Sequence, residues 1–285
     1  MNLRRRLAAF LAFVVAAGSG AAADARPVRV VSQTVGSDEL LLALAQPAQV
    51  AALSHISADP EFSAVAAEAA RYPRIAKGGD AETILKFSPT LVLFADYSRA
   101  ELVEQVRRAG VKVLIFDRYR TLEDAYANLR TLAAELGAEE RAEAVVADCE
   151  ARVRRLRDRL AGARPVRVVA PSTYGLIPGS ASTFQDLCDH AAAENLAATL
   201  GGLHGHEAPP NEQMLTWPID RVVLAGSSLD EQLALYRKVP PYQFMPAVRE
   251  GRAVLLEPWQ LSCVSHRRVE AYERLAHALH PEAFP

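Results

Sequence analysis

The feature that most constrains this chain is a repeated unit. Residues 82–95 read Glu-Thr-Ile-Leu-Lys-Phe-Ser-Pro-Thr-Leu-Val-Leu-Phe-Ala, and residues 212–225 read Glu-Gln-Met-Leu-Thr-Trp-Pro-Ile-Asp-Arg-Val-Val-Leu-Ala. Glu82, Leu85, Val92 and Ala95 meet Glu212, Leu215, Val222 and Ala225 at one constant offset. Each copy predicts a short helix opened by an acid, a Pro break and a buried strand. Pro27-Val28-Arg29-Val30-Val31 also recurs, as Pro165-Val166-Arg167-Val168-Val169. Such a chain folds as two similar α/β lobes, each with a Glu at a matching place. Two lobes can hold a ligand between them, and two glutamates can grip a symmetric partner.

The chain has 285 residues, half of them apolar, enough for two lobes with a core each. Its first 23 residues hold three Arg and no acid, so without them 29 basic residues face 34 acidic ones. A nucleic-acid partner calls for a basic face, and this balance gives none. Residues 1–23 read as a cleavable secretory signal: Arg4-Arg5-Arg6, an apolar run over residues 7–17, and small-x-small cleavage sites at residues 21–25. The run is shorter than the ~20 apolar residues that a membrane span needs. A soluble periplasmic protein is expected. Of the three cysteines, Cys149 and Cys188 fall in helical patterns and read as buried thiols, whereas Cys263 sits in a loop beside His266.

Strands are expected at residues 28–32, 50–53, 91–95 and 111–116, with helices between them, one capped by Ser37 and carrying Asp38 and Glu39 in its first turn. Strands alternating with helices predict a parallel sheet covered on both faces. From residue 121 to about 160 there is no Pro, and apolar residues fall at helical spacing. An unbroken helix there would be ~60 Å long, a spine between lobes, with Gly137 as a point where it can kink. Its Arg-rich face reads as a solvated surface paired with Glu150 and Asp158. A second lobe begins at Val166, with a helix expected over residues 183–200 and a loop over residues 204–210. The fold class is therefore α/β, two doubly wound parallel-sheet lobes joined by a long helix. The divisions are residues 24–120, 121–163 and 164–285.

This order, with the segments at residues 29–44, 82–95, 183–196, 246–254 and 280–284, resembles the periplasmic substrate-binding proteins of ABC importers for cobalamin, haem and ferric siderophores. The resemblance covers the whole mature chain. It implies that the connecting helix is rigid, that the lobes move little, and that the partner is a permease dimer in the inner membrane. It also implies that Glu82 and Glu212 dock onto arginines of the two permease subunits. Carboxylate–Arg pairs can be bidentate, which fixes orientation as well as adding energy. The other role for each Glu is simply to favour a helix N-terminus.

Ligands of doubly wound sheets sit beyond the C-terminal ends of the strands. The candidate ligand-binding residues there are His55, Tyr97, Arg99, Arg118, Tyr119, Tyr174, Trp259 and His266. Aromatic faces with polar tips and arginines suit a large, partly apolar, anionic metal chelate of ferric-siderophore or cobalamin type. Haem is the alternative. Haem-binding relatives place a Tyr just before the Glu-initiated helix, where this chain has Lys77-Gly78-Gly79-Asp80, although Tyr97 or His55 can serve as an axial ligand. Direct metal-ion capture by His55, His204, His206, Cys263 or His266 is a further alternative, with only the weak spacing His204-x-His206 to support it. An enzyme is the least favoured reading: the chain has no Gly-x-Gly-x-x-Gly, no Gly-Lys-Ser/Thr and no Gly-x-Ser-x-Gly. No catalytic residue, resident metal or cofactor is expected, and the chain is expected to act as a monomer.

Overall fold

Short Val- and Leu-rich runs with both faces covered form the strands, as parallel sheets under helices require. The computed structural model describes residues 27–285. The expected signal segment lies outside the described residues. In the first lobe the chain runs through β1 (Val30–Ser32), α1 (Val35–Leu44), β2 (Val50–Ala52), α2 (Ala66–Ala69), α3 (Ala81–Leu85), β3 (Leu91–Ala95), α4 (Ala100–Arg108) and β4 (Lys112–Phe116). Its sheet is parallel, in the order β2-β1-β3-β4.

Helices α5 (Leu122–Leu136) and α6 (Glu139–Arg159) follow. The second lobe contains β5 (Val166–Val169), β6 (Ile177–Pro178), α7 (Thr183–His190), β7 (Ala193–Asn195), α8 (Leu196–Thr199), β8 (His206–Glu207) and α9 (Asn211–Met214). It closes with β9 (Arg221–Ala225), α10 (Leu229–Tyr236), α11 (Pro246–Arg249), β10 (Ala253–Leu256), α12 (Pro258–Ser262) and α13 (Arg268–Leu279). The main sheet is parallel, in the order β10-β9-β5-β7, and β6 pairs antiparallel with β8.

The duplication read from the sequence is visible strand by strand. β7, β5, β9 and β10 repeat the order of β2, β1, β3 and β4. Val30 pairs with Leu91 as Val168 pairs with Arg221. Each lobe fastens its first strand in the same way. The Arg29 amide donates to Thr90 Oγ1 at 2.8 Å, and the Arg167 amide donates to Asp220 Oδ2 at 3.0 Å. In the second lobe the Arg167 guanidinium also grips Asp220 at 2.9 and 2.7 Å, and these hydrogen bonds pull the carboxyl down to about 2.

Two expectations need correction. The segment at residues 121–163 is not one helix. Gly137 adopts the left-handed conformation, φ 64°, and ends α5, as glycine does where a Cβ would be strained. Helix α6 then folds back, and Arg130 reaches Glu143 across the hairpin at 2.7 and 2.9 Å. The 21-residue α6, ~32 Å at 1.5 Å per residue, carries the chain into the second lobe. One apolar core runs through this hairpin from Val30, Leu91 and Phe116 to Leu129, Val146 and Cys149, and on to Phe184 and Tyr272. Nor is residues 183–200 a single helix. Ala192 has φ 48°, and β7 adds to β5 with Val166 opposite Ala193. The Ala-rich run favours helix locally, but completing the sheet outweighs that weak preference. Smaller differences follow the caps: Thr34 is the N-cap of α1, and Ser37 lies one turn inside. No helix among the described residues is long and apolar enough to cross a membrane.

Candidate functional site

Three strand ends of the first lobe open into one cavity of about 400 Å³. β1 delivers Gln33 and Thr34, β2 delivers Ser54 and His55, and β3 delivers Tyr97, Ser98 and Arg99. The second lobe supplies the opposite wall with Ser262, Cys263 and Val264. A smaller cavity of about 100 Å³ shares Thr34, Gly36, Tyr97 and Val264 and adds Phe116, Arg118, Tyr119 and Asn128. Tyr97 therefore stands where the two meet. The residue is 69% exposed and its ring meets Tyr119 edge-on, with centroids 6.2 Å apart, while burial around its hydroxyl end, opposed by Thr34, raises the pKa of the phenol. Asn128 donates to the Arg118 carbonyl at 2.6 Å, and Arg99 donates to the Gly79 carbonyl at 2.7 Å, so both arginine-bearing loops are tethered. The arrangement offers a phenol, broad aromatic faces and two guanidinium groups to an anionic guest.

The base of the larger cavity is acidic. Glu39 lines it while only 3% exposed. Its carboxylate accepts from Ser265 Oγ at 2.5 Å, from the Ala64 amide at 3.0 Å and from Cys263 Sγ at 3.6 Å. Burial raises its pKa in spite of those donors. Behind it Asp38 is fully buried and accepts from the Ser54 amide at 3.1 Å and the Ser54 hydroxyl at 2.5 Å. Burial pushes the Asp38 carboxyl up to about 7. The sequence showed these two acids only as first-turn residues of a helix. The signal for their burial was their neighbours: Leu40, Leu41 and Leu44 leave α1 no wholly solvated face.

Of the residues expected from the sequence, His55, Tyr97 and Arg99 share the larger cavity, and Arg118 and Tyr119 join Tyr97 in the smaller. Tyr174 lies beyond β5 on the second lobe, 91% exposed and outside both cavities. Trp259 and His266 also line neither cavity. Trp259 is 7% exposed, and its indole N–H donates to Glu257 at 2.7 Å. His266 packs toward α6, where its carbonyl meets Cys149 Sγ at 3.8 Å. Its Nδ1 is buried without a partner, and burial, with Arg267 and Arg152 nearby, pushes the ring down to about 4. Gly36 and Phe62 were not foreseen, whereas Cys263 was already a candidate, as a metal ligand.

Glu82 is exposed in the first turn of α3, whose N-cap Asp80 accepts from the Thr83 amide at 2.9 Å. Glu212 is exposed in the first turn of α9. Among the described residues no group of three or more His, Cys, Asp or Glu is placed to hold a metal ion. His204 is taken up by Ser180 at 3.1 Å, and all three cysteines are buried and unpaired.

Solved structures with this fold include the periplasmic heme-binding protein RhuT from Roseiflexus sp. RS-1 in apo form. It is 23% identical at a TM-score of 0.78, over 90% of this chain and 99% of that one. A periplasmic heme-binding protein from Pseudomonas aeruginosa is 24% identical at a TM-score of 0.76, over 90% and 93%. CeuE of Helicobacter pylori, described as a Ni-His complex, is 17% identical at a TM-score of 0.71, over 90% and 84%. A search of curated protein sequences found no match. The family model described as periplasmic binding protein matches residues 30–258, and the chain belongs to that family.

Proposed function

We propose that this chain captures an anionic metal chelate between its lobes in the periplasm and presents it to the permease of an ABC importer. The observation that carries this reading is Tyr97, which lines both cavities where they meet, with Arg99 in the larger and Arg118 in the smaller. Haem suits those groups best. A phenol oxygen can ligate ferric iron at an axial position, aromatic faces accept the macrocycle, and arginines meet its two carboxylates. The haem-binding descriptions of the Roseiflexus and Pseudomonas structures support the same choice. Ferric siderophore or cobalamin is the second reading. It is favoured by the turn at Gly78-Gly79, which puts no Tyr immediately before α3.

Haemin titration, followed by absorbance, tests the first reading. A saturable Soret shift at one equivalent is expected, with the tyrosinate-iron bands lost in Tyr97→Phe. No shift with haemin, together with saturable quenching by a ferric siderophore or cobalamin, overturns it in favour of the second. Docking is assigned to Glu82 and Glu212, one on each lobe, at equal places in the repeated unit.

A further inference from the structure

Residues 262–268 join the end of α12 to the start of α13 and so belong by sequence to the second lobe, yet several of their contacts reach into the first. Ser265 donates to Glu39 of α1 at 2.5 Å. Val264 packs so closely on Gly36 that a Cβ there would stand 2.3 Å from its Cγ2 atom. Arg268 goes furthest. Its side chain is fully buried, and its two terminal nitrogens serve four acceptors from both lobes. One donates to the Arg120 carbonyl and to Asp186 Oδ2, each at 2.7 Å. The other donates to the Tyr119 carbonyl at 2.9 Å and the Cys263 carbonyl at 3.0 Å. Tyr272 also donates to Asp186 and completes the group.

Burying a guanidinium is costly unless its partners are well placed, and a buried ion pair often adds little stability over an apolar pair of the same volume. What the ion supplies is a rigid fork that fixes several acceptors relative to one another. Here the acceptors are the loop that carries Arg118 and Tyr119 and the loop that carries Cys263. Both loops line the smaller cavity, the first through Arg118 and Tyr119 and the second through Val264.

We propose that residues 262–268 are a wedge of the second lobe docked into the first, and that Arg268 is a positioning residue that sets the width of the ligand cleft without touching the ligand. The role in ligand binding rests on the function proposed above; the wedge itself does not. The cleft is then formed before the ligand arrives, and its geometry is held by the wedge as well as by the helical hairpin.

Hydrogen exchange of the ligand-free protein tests the wedge, with haemin titration read separately. Arg268→Lys keeps a positive charge beside Asp186 but cannot span four acceptors. Residues 117–120 and 262–266 are expected to exchange roughly tenfold faster, with β3 and β9 as protected as in wild type. Haemin affinity is expected to fall roughly tenfold, because a cleft of unset width is only fractionally competent. Wild-type exchange in both segments overturns the proposal, and so does a uniform rise through the core, which is the mark of a merely structural residue. Should Arg268→Lys not fold, Ser265→Ala loosens the wedge at Glu39 and leaves the buried ion intact. Faster exchange confined to residues 262–266 then supports the wedge, and wild-type exchange there overturns it. If wild type takes up no haemin, the haem reading fails while the exchange result still decides the wedge.

Discussion

Asp38 and Ser54 form a hydrogen bond of 2.5 Å between a carboxylate and a hydroxyl that are both sealed from solvent. The contact ties the first turn of α1 to the end of β2, directly behind the cavity. Burial holds the Asp38 carboxyl at about 7, above its ordinary 3.8, so the folded state binds that proton more tightly than the unfolded chain does. Its contribution is fully present below about pH 4, falls as pH rises toward 7, and is flat beyond. His266 acts in the opposite sense. Its ring titrates near 4 when folded against an ordinary 6.5, so its contribution is lost as pH falls from 6.5 to 4. The two oppose each other across that window, each at ~1.4 kcal/mol per pH unit at most.

Asp38→Asn should unmask the balance. Losing an acceptor for Ser54 gives an offset that does not depend on pH. The slope is the test: the stability of the variant relative to wild type should rise between pH 4 and 7. Denaturant unfolding at four pH values checks this, and parallel profiles would place the Asp38 proton elsewhere.

Glu82→Ala and Glu212→Ala should leave ligand affinity nearly unchanged. An exposed acid at a helix N-terminus contributes ~0.3–1 kcal/mol, so melting temperatures should move little. A charge-assisted pair desolvated at a closed interface is worth more, ~2–5 kcal/mol when one partner is removed. Uptake in cells should therefore fall for each change and fall further for both together. Normal uptake by the double variant would falsify the docking role.

Gly36→Ala should destabilise although alanine is the better helix former. The added methyl meets Val264 Cγ2 at 2.3 Å. Overpacking of this kind costs ~1–3 kcal/mol, against a helix-propensity gain of ~1 kcal/mol. Both residues line the two cavities, so affinity should fall as well. Calorimetric melting and a ligand titration on the same sample decide it, and a rise in melting temperature would mean the wedge gives way freely.

Arg268→Met leaves Asp186 buried without its cation, which costs ~3–5 kcal/mol. Adding Asp186→Leu should recover only part of that loss, because the Tyr119, Arg120 and Cys263 carbonyls remain unpaired. Full recovery in the double variant would show that the backbone acceptors contribute nothing.

The first lobe's side of the site was legible because it follows from strand ends. Once β1 to β4 are placed by their apolar runs, His55, Tyr97, Arg99, Arg118 and Tyr119 come to one edge of the sheet by topology alone. The second lobe's side was not. Trp259 sits just past a strand like Tyr97, but it is buried, with its N–H on neighbouring Glu257, and lines neither cavity. Where residues 262–268 go is decided by partners more than a hundred residues away in sequence, such as Tyr119. No local pattern encodes those partners. The strand β7 was hidden for a related reason: its Ala-rich residues prefer helix until β5 offers an edge. The repeated unit was legible throughout, because both copies keep the same buried positions, Ile84 and Met214 among them.

The two lobes also differ at the tips of α3 and α9. Asp80 braces the turn ahead of Glu82, whereas Pro210 stands ahead of Glu212 with no side-chain cap. If a receptor of two like halves docks on Glu82 and Glu212, these tips are where the two orientations would otherwise look most alike to it. The braced tip and the unbraced one make those orientations inequivalent, so a receptor that needs its cargo presented one way round has a mark by which to tell front from back.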